Sequence, residues 1–203
     1  VFVEDKRSSS AYLDDGRIEE LTSGRDRGAG IRVVVGESTG FAHTADLSAA
    51  GLAAAAEAAA SAARSGSGGV RTVALTRSPD PRRHAIETLP ESVAKGDKVA
   101  LLRRAEEAAR GTGSAITQVS ASYGDSRRRI LVANSDGLMV GDDTVRTVFS
   151  VSSVASGDSG MQTGRESVGL TVGFELFDTY DVEELGRRSA QRALTKLAAR
   201  PAP

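Results

Sequence analysis

Residues 24–48, GRDRGAGIRVVVGESTGFAHTADLS, restrict the fold more than any other stretch of the chain. A glycine-rich opening leads into the β-branched run Ile31, Arg32, Val33, Val34, Val35; a second turn follows, and then an extended segment around Phe41 to His43. β-Branched residues fit a pleated strand and glycine supplies the positive φ of tight turns, so this order predicts strand, turn, strand. Asp46 then offers a carboxylate to the free amides of a first helical turn, and an alanine-rich helix is expected from there to about Arg64. Its large apolar residues are Leu47 and Leu52 alone, so its small alanines would let it lie close against a sheet.

The remaining pattern extends that arrangement. Short strands are expected at 2–4, 11–13, 18–22 and 72–76, with a turn at Asp14, Asp15 and Gly16. Pro79 and Pro81 bar helix and central strand, which makes 77–83 a connector. A helix over 97–110 carries Val99, Leu102, Ala105 and Ala109 on one side. Strands at 115–123 and 129–133, a turn at Asn134 to Gly137, and two long strands at 145–155 and 162–176 follow. In the last of these Val168, Leu170, Val172, Phe174 and Leu176 alternate with smaller residues, so one face is core. A final helix is expected over 182–199. The fold class is therefore α+β, with mixed, largely antiparallel sheets, long hairpins and about three helices packed on them. Hairpins followed by a helix occur twice, a hint of internal duplication.

Charge and composition exclude several functions. With 39% hydrophobic and 26% charged residues among 203, the chain can bury a core, and its formal net charge of −1 gives no long-range pull toward nucleic acid or anionic membrane. Arg82, Arg83 and Arg127 to Arg129 lack interleaved aromatics, so direct nucleic-acid binding is not expected. No run approaches the roughly 18 apolar residues of a membrane span. The absence of cysteine fits a reducing, cytoplasmic setting.

Chemistry-bearing residues are sparse. The two histidines, His43 and His84, have no second ligand at metal spacing; His43 reads as a strand histidine and His84 as an exposed connector residue. Ser8, Ser9 and Ser10 lack a nucleophile elbow. Gly24, Gly28 and Gly30 are followed by no Gly-Lys-Ser/Thr, and position 33 is valine, so they read as a tight entry into the strand at Ile31. Asp136, Asp142 and Asp143 do not have calcium-loop spacing. From turn and strand-end position alone, His43, Asn134 and Asp136 are the candidate substrate-cavity or interface residues, and no catalytic or metal residue is assigned.

The order of these segments resembles the N-terminal half of the TldD/PmbA family of zinc metallopeptidases. The resemblance rests on Ser8-Ser9-Ser10 through Leu13-Asp14-Asp15-Gly16-Arg17, residues 24–48, Asn134-Ser135-Asp136-Gly137-Leu138 and the closing helix. Thr39-Gly40-Phe41-Ala42 look more like the TldD branch than the PmbA (TldE) branch. The family's His-Glu-x-x-x-His metal motif belongs to its C-terminal half, and nothing like it occurs in residues 1–203. The resemblance implies an N-terminal domain, residues 1–203, with sub-blocks 1–78 and 92–203 and no catalytic C-terminal domain. It further implies a parent peptidase that binds zinc and cleaves peptides or unfolded polypeptides, paired with a PmbA/TldE-type subunit or a second copy. This segment would wall the cavity, help form the dimer, hold no cofactor and be inactive alone. The alternatives are a non-catalytic peptide-binding subunit of PmbA type, capturing an extended peptide by strand addition, and a regulator of DNA gyrase, after the family's older label.

Overall fold

The structure, a computed structural model, describes residues 1–64, 74–78 and 85–199. The strands are β1 (Phe2–Asp14), β2 (Arg17–Val35), β3 (Ser38–Thr44), β4 (Thr76–Arg77), β5 (Ile116–Ala133), β6 (Leu138–Gly157) and β7 (Gly160–Leu170). The helices are α1 (Ala49–Ala63), α2 (Lys95–Arg110), the single turn α3 (Leu176–Thr179) and α4 (Val182–Leu197). The expected α+β class holds: one largely antiparallel sheet, long hairpins, and three helices of more than one turn among the described residues. The chain divides into two compact units, 1–7 with 25–83 and 128–144, and 8–24 with 84–127 and 145–203. The long strands β1, β2, β5 and β6 contribute a segment to each.

The first unit follows the strand order β3-β2-β1-β5-β6-β4, with β4 adding two residues in parallel to β6. β2 and β3 pair antiparallel, Ile31 opposite Ala42 and Val33 opposite Gly40. Helix α1 lies on β3 with its alanine face down, burying Ala55, Ala59 and Ala63. The approach is so close that a Cβ on Gly40 would stand 1.9 Å from the Ala59 carbonyl oxygen. Ser48 caps the helix by accepting from the Gly51 amide at 3.1 Å. The expected cap at Asp46 lies two residues too early: its carboxylate accepts from the Ser48 amide at 2.9 Å instead, an Asx turn that leads into the helix.

The second unit holds the larger core. Leu13, Leu102, Val119, Tyr123, Phe149 and Val151 are fully buried, each worth about 1.5–3 kcal/mol for the larger apolar side chains. α4 packs on both α2 and β7. Two glycines permit this, since a Cβ on Gly186 would meet the Ala105 carbonyl oxygen at 2.2 Å and one on Gly164 the Ser189 carbonyl oxygen at 2.0 Å. Gly164 against Ser189 and Ala193 repeats the geometry of Gly40 against Ala59 and Ala63: a strand glycine beneath helix residues four apart.

Several expected boundaries differ from the structure. The short strands at 2–4 and 11–13 are one strand, as are 18–22 with 31–35 and 115–123 with 129–133. Residues 24–30 are not a turn but run extended within β2. β2 lies between β1 and β3; pairing with β1 holds a polar, glycine-bearing segment that carries no alternation of its own, and β3 joins only from Ala29 onward. The strand expected to reach Leu176 ends at Leu170; Leu170 is exposed and Leu176 is buried in α3. Glu175 imposes that break, its carboxylate accepting from the Gly173 amide at 2.7 Å and the Thr88 amide at 2.9 Å. Only Thr76 of the strand expected at 72–76 pairs in a strand; 72 and 73, most of the 77–83 connector, and His84 lie outside the described residues.

Candidate functional site

His43 lines an open groove of about 390 Å³ in the first unit, together with Phe2, Glu4, Arg27, Gly30 and Phe41. β2 and β3 set this geometry, because Gly30 pairs opposite His43 and leaves room for the Phe41 ring, which a Cβ there would approach to 3.2 Å. Phe41 is 63% exposed and its ring centroid lies 6.4 Å from that of His43. Gly28 and Gly30, read in the sequence as part of a turn, thus line the groove. Glu4 is engaged elsewhere, accepting from Arg128 at 2.6 Å. The groove offers the exposed Phe41 and His43 rings beside glycine backbone, a surface suited to contact with a chain.

Asn134 and Asp136 are not part of that groove. They form the β5–β6 turn, where the Asn134 side-chain oxygen accepts from the Asp136 amide at 3.0 Å and the Leu138 amide at 3.1 Å, and Gly137 adopts φ +91°. Asn134 therefore has a local role as the turn's internal cap.

The most organised polar constellation was not marked by any sequence motif. In the second unit Lys98 of α2 donates to Asp125 of β5 at 2.7 Å and to Ser9 of β1 at 2.8 Å. Ser9 and Tyr123 also donate to Asp125, Tyr123 at 2.7 Å. The Lys98 ammonium lies 5.2 Å from the centre of the Tyr123 ring. Burial pushes the Tyr123 hydroxyl well above the usual phenol range, and its bond to Asp125 pushes it further. Three donors, from Lys98, Ser9 and Tyr123, converge on the one carboxylate of Asp125. The arrangement joins β1, β5 and α2. The sole sequence signal for it was a lysine on the apolar side of α2, one turn before Leu101 and Leu102.

Among the described residues no group of three or more His, Cys, Asp or Glu side chains is placed to hold a metal ion.

Comparison with known proteins identifies the fold. Residues 1–63 match the family model for PmbA/TldA metallopeptidase domain 1, and residues 88–197 match that for the PmbA/TldA metallopeptidase central domain. The chain belongs to the PmbA/TldD family. A metalloprotease of Methanothermobacter thermautotrophicus is 35% identical over 198 residues, which cover 97% of this chain and 42% of the relative. A metalloprotease TldD homolog of Haemophilus influenzae is 29% identical, covering 97% of this chain and 42% of that protein. The chain thus spans about two-fifths of the length of these relatives. Among solved structures, a Thermotoga maritima protein named as a candidate modulator of a DNA gyrase superposes with a TM-score of 0.79 at 18% identity, over 100% of this chain and 45% of that one. TldE from Thermococcus kodakarensis gives 0.67 at 18% identity, over 95% of this chain and 43% of that one. At those identities the structural likeness speaks for the fold alone.

Proposed function

We propose that this chain is the N-terminal, non-catalytic part of a TldD-like zinc metallopeptidase subunit, forming part of the cavity wall and of the dimer contact. The observation that carries this reading is the match of residues 1–63 and 88–197 to domain 1 and the central domain of a metallopeptidase family, on a chain whose described residues hold no cluster of metal ligands. In this reading the parent's zinc ligands lie outside residues 1–203, its substrates are peptides or unfolded polypeptides, and it works in the cytoplasm. The likeness to a TldE structure supports pairing with a PmbA/TldE-type subunit or a second copy. Sub-blocks 1–78 and 92–203 would correspond to the two family domains matched at residues 1–63 and 88–197. His43, with Phe41, would face substrate or partner, and the turn of Asn134 and Asp136 would lie at the cavity or interface.

The test uses the full-length subunit and its His43→Ala and Phe41→Ala variants. A wall role predicts reduced cleavage of an unfolded protein with zinc content unchanged. Cleavage equal to the parent in both variants would count against the role of this groove, and loss of zinc would place the metal nearer than proposed.

The same likeness to TldE supports a second reading, a subunit of PmbA type that binds peptide without cleaving it. A full-length protein that binds peptide but no zinc would favour it.

A further inference from the structure

Along the second unit a groove of about 760 Å³ runs between β7 and α4, lined by Thr163, Arg165, Arg188, Gln191, Arg192, Thr195 and Lys196. Two features of it are independent of each other. The first is an open strand edge. Among the described residues β7 pairs with β6 alone, in a register that sets Thr163 opposite Val154. The Thr163 carbonyl accepts the Lys196 ammonium at 2.7 Å and so points away from β6. In an antiparallel ladder alternate residues turn their N–H and C=O groups the same way, so Thr163, Arg165 and Ser167 present theirs along the outer edge.

The second feature is charge. Arg188, Arg192 and Lys196 lie four residues apart on α4, forming a row of like charges at a spacing that weakens an isolated helix. Arg165 of β7 also lines the groove, but its guanidinium donates to Ser150 of β6 at 3.2 Å and stands apart from this row. The carboxylate that meets this row is Glu166, 3.8 Å from Arg188 and ion-paired with Arg192. Arg188 and Arg192 are nevertheless 55% and 56% exposed. The groove is therefore strongly positive on a chain whose net charge is −1.

Spacing and composition select the occupant. Helix residues four apart stand about 6 Å apart along the axis, and alternate residues of an extended chain about 6.7 Å apart. A strand added to β7 would thus set every second side chain beside one cation of α4. No aromatic residue lines the groove, so it offers no stacking platform for nucleic-acid bases.

We propose that the groove between the open edge of β7 and α4 captures an extended, carboxylate-rich segment of a partner polypeptide as an added strand, its backbone pairing with Thr163, Arg165 and Ser167 and its carboxylates with Arg188, Arg192 and Lys196. This surface is distinct from the His43 groove and stands whether or not the parent is a peptidase.

The test is fluorescence anisotropy of the purified chain with a short fluorescein-labelled peptide of alternating Glu and Thr. The companion probes are the same peptide with Gln for Glu, the same peptide with alternate amides N-methylated, and an oligothymidylate. The Glu peptide should bind at least about tenfold more tightly than the Gln peptide, and the preference should shrink as salt rises. Arg188→Glu with Lys196→Glu, which leaves Arg192 on Glu166, should abolish that preference. N-methylation should weaken binding to the unmodified chain by a comparable factor, and this arm is independent of how the variant folds. Equal binding of Glu and Gln peptides, or of the N-methylated and plain peptides, would overturn the proposal. Tighter binding of the oligothymidylate would replace it with a nucleic-acid surface.

Discussion

The Lys98 ammonium donates to Asp125 at 2.7 Å, with only 5% and 8% of the two side chains exposed. Removing one partner from such a pair leaves a buried charge unmatched, whereas replacing both leaves none. Asp125→Ala should therefore cost about 3–5 kcal/mol in urea unfolding. Lys98→Met with Asp125→Asn should cost less than Asp125→Ala alone, since the Asn oxygen still accepts from Tyr123 and Ser9. A double variant as unstable as the single would show that the charge pair is not what the cluster protects.

Helix docking depends on two strand glycines. A Cβ on Gly164 would stand 2.0 Å from the Ser189 carbonyl oxygen, and one on Gly40 1.9 Å from that of Ala59. Neither obstacle is a side chain that can swing aside. Gly164→Ala and Gly40→Ala should each lower stability by about 1–3 kcal/mol or more, while Gly96→Ala, which meets nothing within 4 Å, should not. Thermal unfolding of the three variants decides this.

Acid sensitivity should centre in part on Asp5. A hydrogen bond from Arg25, with Arg129 also close, holds its carboxyl down to about 2. A carboxyl lowered in the folded state adds stability above its unfolded value, and that stability is lost as pH falls from about 4 toward 2. Asp5→Asn should therefore be less stable than the parent at pH 7, and the two should converge across that window. Urea midpoints at a series of pH values would show it, and a gap that stays constant down to pH 2 would refute it.

The turn at Asn134 should matter for stability more than its neighbour. Asn134→Ala removes the acceptor for two backbone amides and should cost about 1–2 kcal/mol, whereas Asp136→Ala, on an exposed carboxylate, should stay within about 0.5 kcal/mol. Equal costs would show that Asn134 does not cap the turn.

Tight turns were readable because their geometry is local. Asp15 and Gly16 adopt φ 48° and 83°, and Gly137 φ 91°, where the residue types demanded it. The full length of β2 was not readable: Glu19 to Arg27 are exposed and carry no apolar alternation, and what keeps them extended is pairing with β1 across the hairpin. The apolar faces of α2 and α4 were largely readable from their spacing, apart from the buried polar residues Glu106, Ser189 and Lys98. The Lys98 partners Ser9 and Asp125 lie 89 and 27 residues away, and no local pattern joins three such positions. Likewise Gly28 and Gly30 signalled a turn, yet they serve as close-approach sites beside Thr44 and Phe41.

The most direct test of the central claim is zinc content and peptidase activity of the purified 203-residue chain after incubation with zinc and exhaustive dialysis. The account predicts far less than one zinc per chain and no cleavage of an unfolded protein. One tightly held zinc per chain, or cleavage that a chelator abolishes, would contradict it.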